Sequence, residues 1–245
     1  MKMKKGLLTM LALLSMGSVF AQDYSVPDAR VVTSRQGVLK VQLSSTTPYR
    51  DLQFDLTLPT GISLVTESVS PDSPDATNVK EAATGHVIAY KPVGDNAVRF
   101  AVYDQANGNT FSDGVLIEIP VQASDAFTAD AVANVTNLVT SDAEAKSYAK
   151  DSFNFNIKLN LLGDVDENDR VEVTDILLTA DYILNEFVAP NNFKNIGAAN
   201  VENNNIINVT DILGIADIIL SGSGSSSAKE MKKEEVSFVD TLDPQ

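Results

Sequence analysis

The sequence predicts a mainly β fold with a small α part, a sandwich of about nine antiparallel strands followed by a pair of loop-helix units. Three observations carry this. Apolar and polar residues alternate with period two through most of residues 23–160. Near residue 161 the period changes to that of a helix. Beyond that point one stretch is written twice, GDVDENDRVEVTDILLTADYIL at 163–184 and NVENNNIINVTDILGIADIIL at 200–220. The copies are offset by about 36 residues, and roughly nine of twelve positions in their second halves are identical, which marks a duplicated structural unit.

The amino terminus comes first. Lys2, Lys4 and Lys5 precede an apolar run from Leu7 to Phe20, and Val19 and Ala21 occupy the minus-three and minus-one positions of a cleavage site. Residues 1–21 therefore read as a secretory signal peptide, too short in its apolar part to span a bilayer, and the product is expected outside the cytoplasm. With no cysteine, the chain is neither a disulfide scaffold nor an amino-terminal lipoprotein. The net charge is −15 for the whole chain, and loss of the three signal lysines takes it to about −18. Such a surface disfavours nucleic acid and anionic lipid, and no later stretch suits membrane insertion.

Residues 22–160 hold the strand candidates. In Leu52-Gln53-Phe54-Asp55-Leu56-Thr57-Leu58 the apolar residues share one face and the polar ones the other. Similar alternation marks 38–44, 97–103, 115–121 and 152–159, with weaker candidates at 30–33, 62–66, 87–91 and 131–139. Turn signals separate them, at Pro59-Thr60-Gly61, Gly94-Asp95-Asn96 and Ser112-Asp113-Gly114, and 71–80 is a polar loop. In order and pattern residues 31–159 resemble a cohesin-like domain of the carbohydrate-binding-module superfamily, which implies a nine-stranded jelly roll that binds protein or sugar.

Nothing in this part points to catalysis. There is no nucleophile elbow or phosphate loop, and the only histidine, His86, reads as an edge or surface residue at a strand start. Asp51, Asp55, Glu67, Asp104 and Glu118 are carboxylates that solvated strand faces explain. Sugar platforms rely on exposed aromatic rings. Here there is no tryptophan, and only Tyr24, Tyr49, Tyr90, Tyr103 and Tyr148 are available, so a glycan ranks below a protein as ligand.

The duplicated segment carries the chemistry. A hard cation such as calcium takes oxygens from positions 1, 3, 5, 7, 9 and 12 of a twelve-residue loop. Loop one offers Asp164, Asp166, Asn168, the carbonyl of Arg170, Glu172 and Asp175 at those positions. Loop two offers Asn200, Glu202, Asn204, the carbonyl of Ile206, Asn208 and Asp211. Four carboxylates against two predict two calcium sites, the second weaker. Position 6, where a glycine is usual, holds Asp169 and Asn205, residues that tolerate the left-handed conformation better than most. Each loop runs into a helix, with Thr174 and Thr210 as expected N-caps. The apolar faces are Ile176, Ala180, Ile183, Leu184 and Phe187 in the first copy, and Ile212, Ala216, Ile219 and Leu220 in the second. No helix is expected in front of either loop.

The form G-D-V-x-x-x-x-x-V-x-V-T-D-I, a short apolar helix and then a second copy resemble the type I dockerin module over residues 162–220. The resemblance implies paired EF-hand-like units at 161–220 that fold around calcium and bind a cohesin-type domain. Loop positions 10 and 11, Val173 and Thr174 with Val209 and Thr210, would help form the recognition face, joined by Leu177 and Leu213. The chain departs from the family pattern at Asn200, where aspartate is usual, and at position 6 of both loops.

Residues 221–245 open on a Ser/Gly linker and continue as a charged tail expected to be disordered, in which 236–240 could form a short strand or docking peptide. Leu159 and Gly163 leave almost no linker between the two folded parts, so a monomer with its domains in contact is expected. One helix face would then rest on the sandwich while the other stays open. The whole reads as an exported, non-enzymatic assembly or adhesion protein that acts through cohesin-dockerin pairing, with polysaccharide utilisation as an expected setting. The alternative is a carbohydrate-binding module tethered by its dockerin.

Overall fold

The computed structural model describes residues 23–65, 86–105, 108–111, 113–204 and 206–224. The signal segment, the 71–80 loop, Glu67, Ser112, Asn205 and the tail with 236–240 lie outside the described residues. In chain order the strands are β1 (Tyr24–Ser25), β2 (Ala29–Val31), β3 (Gln36–Leu43), β4 (Tyr49–Thr57), β5 (Ile62–Leu64) and β6 (His86–Gly94). They continue as β7 (Ala97–Asp104), β8 (Gly114–Ala123), β9 (Ala131–Asp142), β10 (Ser147–Ala149) and β11 (Phe153–Leu159). The helices α1 (Val173–Leu184), α2 (Ile196–Ala199) and α3 (Val209–Leu220) follow.

The fold is mainly β with few helices. One sheet runs β1-β3-β8-β5, and the other runs β2-β11-β9-β4-β7-β6 with β10 on β9. Strands occupy all nine expected stretches. β1 and β10, of two and three residues, are additional and too short to display a period. The ladders are antiparallel with one exception: β2 lies parallel to β11, with Ile157, Lys158 and Leu159 opposite Ala29, Arg30 and Val31. Leu52, Phe54, Leu56 and Leu58 from one sheet and Leu39, Val41, Leu116, Ile117, Ile119 and Val121 from the other bury into one core. Each such side chain contributes about 1.5–3 kcal/mol relative to remaining in water, which is why period two decides the fold here.

Among the described residues, the carboxylates named from the sequence have protein partners. Asp55 is buried and receives Arg99 at 2.6 and 2.8 Å and Asn137 at 2.7 Å. Asp104, also buried, accepts from the backbone N–H of Gly108 and Asn109. Asp51 accepts from the Ser141 hydroxyl, and Glu118 lies 3.8 Å from Lys40. His86 does start an edge strand but is buried, with its ring against Phe111 and Nε2 3.0 Å from the Arg50 carbonyl, because the β7–β8 connection folds over it. Tyr24 and Tyr49 are buried and stacked, Tyr90 packs on the core, and Tyr103 is partly exposed. Among the described residues no helix is long and apolar enough to cross a membrane.

A second, smaller core holds the loop-helix pair together. Val165, Val171, Ala199, Ile207 and Ile215 are its buried centre, with Ile176, Tyr182, Ile183, Phe193 and Ile218 packed around them. The Tyr182 ring stacks on Phe193 at 4.5 Å. Gly163, at φ +93, turns the chain from β11 into the first loop where a Cβ would press Val171 at 2.8 Å. α2 is a short helix where none was expected, capped by the Asn195 side chain accepting from the Ala198 N–H at 2.9 Å.

Candidate functional site

The two loops share most of their internal hydrogen bonds. In loop one the Asp175 carboxylate accepts from the N–H of Val165 (2.7 Å), Asp166 (3.3 Å) and Glu172 (2.9 Å). In loop two Asp211 accepts from Glu202 (3.0 Å) and Asn208 (2.9 Å). Asp164 accepts from the N–H of Asn168 at 3.0 Å, as Asn200 does from Asn204 at 3.2 Å. The N–H of Arg170 reaches the Asn168 side chain at 2.9 Å, and that of Ile206 reaches Asn204 at 3.0 Å. Position 4 is left-handed in both loops, at Glu167 (φ 61) and Asn203 (φ 55), and position 6 of loop one is so too, at Asp169 (φ 67). These are the turns that fold twelve residues back on themselves and aim alternate side chains inward.

Asp164, Asp166 and Asp175 converge, with ligand oxygens all within 4.8 Å of one another. Asp164 and Asp175 are fully buried. Burial, reinforced by the charges of Asp175 and Asp166, pushes the Asp164 carboxyl up to about 6. Asp175 is likewise raised by burial, with the Asp166 charge adding to it. Asn168 and Glu172 stand at the rim, where the Asn168 amide reaches both Asp166 (3.1 Å) and Glu172 (3.3 Å). Clustered, partly desolvated carboxylates repel, and a hard divalent cation among them would relieve that repulsion. The donor set of loop one therefore fits calcium. Loop two repeats the N–H bonds of Glu202 and Asn208 to Asp211 and of Asn204 to Asn200, with two carboxylates in its donor set.

The helices begin earlier than expected. Glu172 and Asn208 are the N-caps, not Thr174 and Thr210, because Asp175 and Asp211 at N3 bond back to the cap N–H and close a capping box. The buried stripe also shifts. It centres on Asp175 and Thr179 in α1 and on Asp211 and Ile215 in α3, whereas Leu184, Phe187 and Leu220 are exposed. Thr179 can be buried because its hydroxyl donates to the Asp175 carbonyl at 2.8 Å. Phe187 lies beyond the helix, where Glu186 and Phe187 turn left-handed.

Along the twelve residues of each helix the exposure pattern is the same, position by position. Val173 and Leu177 are each 61% exposed, and Val209 and Leu213 are 62% and 60% exposed. Thr174 and Thr210 are exposed beside them. The expectation that the sandwich covers one of the two faces is thus corrected: both are open. The sandwich meets the smaller part instead through Arg30 and Arg35, which reach the loops, through Asn195, and through α2, which lies against β3. No local pattern in the sequence could single these three out, since their partners lie well over a hundred residues away along the chain.

No family model and no curated protein matches the chain. Among solved structures it is similar to a non-cellulosomal cohesin from the hyperthermophilic archaeon Archaeoglobus fulgidus, at 11% identity and TM-score 0.43, covering 56% of this chain and 90% of that one. A cohesin module from the Clostridium perfringens family 33 glycoside hydrolase is similar at 11% identity and TM-score 0.40, over 57% of this chain and 96% of that one. A type II cohesin from Bacteroides cellulosolvens is similar at 12% identity and TM-score 0.41, over 56% and 98%.

Proposed function

We propose that residues 161–220 are a dockerin-type module that binds calcium in both loops, more tightly in loop one, and offers its paired helices to a cohesin-type protein domain. On this reading the chain is an exported, non-enzymatic assembly or adhesion protein, with its sandwich and module in contact in a monomer. The observation that carries it is the doubling. Two loops with matching backbone-to-carboxylate bonds lead into two helices with matching exposure. An acidic turn serving only solubility has no need of such a repeat.

The chemistry agrees with the geometry. Oxygen donors at alternate positions, two of them fully buried carboxylates, suit a hard cation rather than a soft one. Arg170 and Ile206 contribute backbone carbonyls at position 7, so their side chains are free to vary. On the helices, Val173, Thr174, Leu177, Val209, Thr210 and Leu213 give two small apolar faces, each flanked by a hydroxyl, which suit a protein surface.

Two measurements test this. Calorimetric titration of the full mature chain with calcium should show one stronger and one weaker site, and Asp164→Ala should remove the stronger. Immobilised protein should capture cohesin-type domains in calcium and release them in chelator. Absence of calcium uptake defeats the metal reading. Capture of polysaccharide with no protein partner present would favour the tethered sugar-binding module instead.

A further inference from the structure

Both candidate metal loops touch the sandwich, through atoms that the loop fold itself positions. Arg30 of β2 donates to the Asp169 carboxylate, the sixth residue of loop one, at 2.5 and 3.2 Å. The Asn195 amide donates to the Arg30 carbonyl at 2.9 Å and to the Glu167 carboxylate, fourth in loop one, at 3.1 Å. Arg35, in the turn between β2 and β3, donates from Nε to the Asn200 carbonyl at 2.7 Å and from Nη2 to the Val201 carbonyl at 2.8 Å. Those carbonyls belong to the first two residues of loop two. Between them, α2 lies so close to β3 that a Cβ at Gly197 would sit 2.2 Å from the Gln36 carbonyl oxygen.

Resting on the calcium reading above, we infer that this contact couples the docking of the sandwich to occupancy of the loops, so that each stabilises the other. Glu167 and Asp169 are both held at positive φ, a strained conformation for residues other than glycine. The carboxylates of Asp164, Asp166 and Asp175 crowd within 4.8 Å. Strain and repulsion both drive loop one away from the shape that aims Asp169 at Arg30 and Glu167 at Asn195. A divalent cation at the centre reverses the repulsion and holds that shape. Linkage is reciprocal, so whatever factor docking gains from the cation, cation affinity gains from docking.

The guanidinium charges act in the opposite sense, and their effect differs between the loops. Arg30 sits on the Asp169 carboxylate, which neutralises it locally. Arg35 bonds to carbonyls instead, so its charge offsets part of what its contacts contribute to loop two. The coupling is therefore larger at loop one. A clean test must separate the domains without altering any charge, and Gly197→Ala does so, because α2 accepts alanine while a Cβ only 2.2 Å from the Gln36 carbonyl oxygen forces that backbone away.

The chain has no cysteine, so Thr60→Cys and Asp181→Cys give a unique pair of spin labels, one on each part. With calcium the full chain should show one narrow interlabel distance, which broadens on chelation. Gly197→Ala should be broad in both states, with far-UV circular dichroism unchanged and calcium affinity at loop one weakened about fivefold or more. Arg30→Gln with Arg35→Gln provides a second undocked form should the alanine variant fail to fold. A narrow distance that survives chelation in protein shown to bind calcium overturns the coupling, as does native calcium affinity in an undocked variant. No calcium uptake by the native chain would instead remove the premise along with the coupling.

Discussion

Asp164→Asn should make the metal-free protein more stable at pH 7 while deleting the calcium response of loop one. Asp164 is fully buried, and desolvation first, then the charges of Asp175 and Asp166, lift its carboxyl from 3.8 to about 6. A folded value above the unfolded one means that the stability linked to this group is complete below about pH 4 and is lost as pH rises through about 6. A shift of roughly two units corresponds to a penalty on the order of 3 kcal/mol at neutral pH. Asparagine carries no charge but keeps one acceptor, whereas the carboxylate serves two N–H groups, Asn168 and Asp169, at 3.0 Å each. Losing one of these bonds costs about 1–3 kcal/mol, which leaves a net gain of up to ~2 kcal/mol in chelator at pH 7 and a net loss at pH 4. Calcium at a hundred times its dissociation constant should add about 2.7 kcal/mol per site to the native chain, and the variant forgoes that of loop one. Urea unfolding followed by circular dichroism, at both pH values with and without calcium, measures all of these. A variant less stable than the native protein in chelator at pH 7, or one that gains as much from calcium, refutes the reasoning.

Calcium affinity of the native chain should fall as pH drops through about 6, since protons and the cation compete for Asp164; calorimetry at pH 5 and pH 7 would read a flat profile as a contradiction. Ile215→Ala, at a fully buried position in the smaller core, should cost about 2–5 kcal/mol with or without chelator, seen as a lower urea midpoint. Leu177→Asp with Leu213→Asp, both at exposed sites, should change stability by no more than about 0.5 kcal/mol yet abolish partner capture. Each single variant should keep capture through the remaining face, and complete loss from one alone would show that the faces are not equivalent.

How much of this was legible depends on the range of the interaction. Strand alternation is a local consequence of which face meets the core, so Leu52 to Leu58 or Leu39 to Leu43 could be placed from sequence. The parallel pairing of β2 with β11 is not local, and Ala29 and Ile157 carry no mark of it. The candidate ligand set was visible because oxygen donors recur at the fixed positions a calcium loop would use. The N-caps were misplaced by two residues because Asp175 and Asp211 serve two ends at once, as position 12 of a loop and as N3 of a helix. A polarity pattern sees only the threonines. The apolar face named for the first helix does not include Thr179, which is buried because its hydroxyl is satisfied on the preceding turn. Helix α2 was hidden because its four residues make barely one turn, too few for a 3.6-residue period to repeat.

The contact between the parts explains why both helix faces stay open, which the short connection alone would not suggest. A helix resting on a sheet would bury one of the two apolar faces and make the copies inequivalent. Here two sandwich arginines reach the loops, Arg30 at Asp169 and Arg35 at two backbone carbonyls, and Asn195 of the smaller part reaches back to the Arg30 carbonyl. Val173, Leu177, Val209 and Leu213 take no part in these bonds and retain nearly equal exposure. Polar contacts of this kind cost little apolar surface, so the module remains available to a partner while its orientation is fixed. The consequence is testable without knowing the partner. If the loops are the joint, chelation should loosen the joint and leave the sandwich core intact, so that protection of amides in β3, β4, β8 and β9 against hydrogen exchange is unchanged while that of α1, α2 and α3 falls. Equal loss of protection in both parts would place the joint elsewhere.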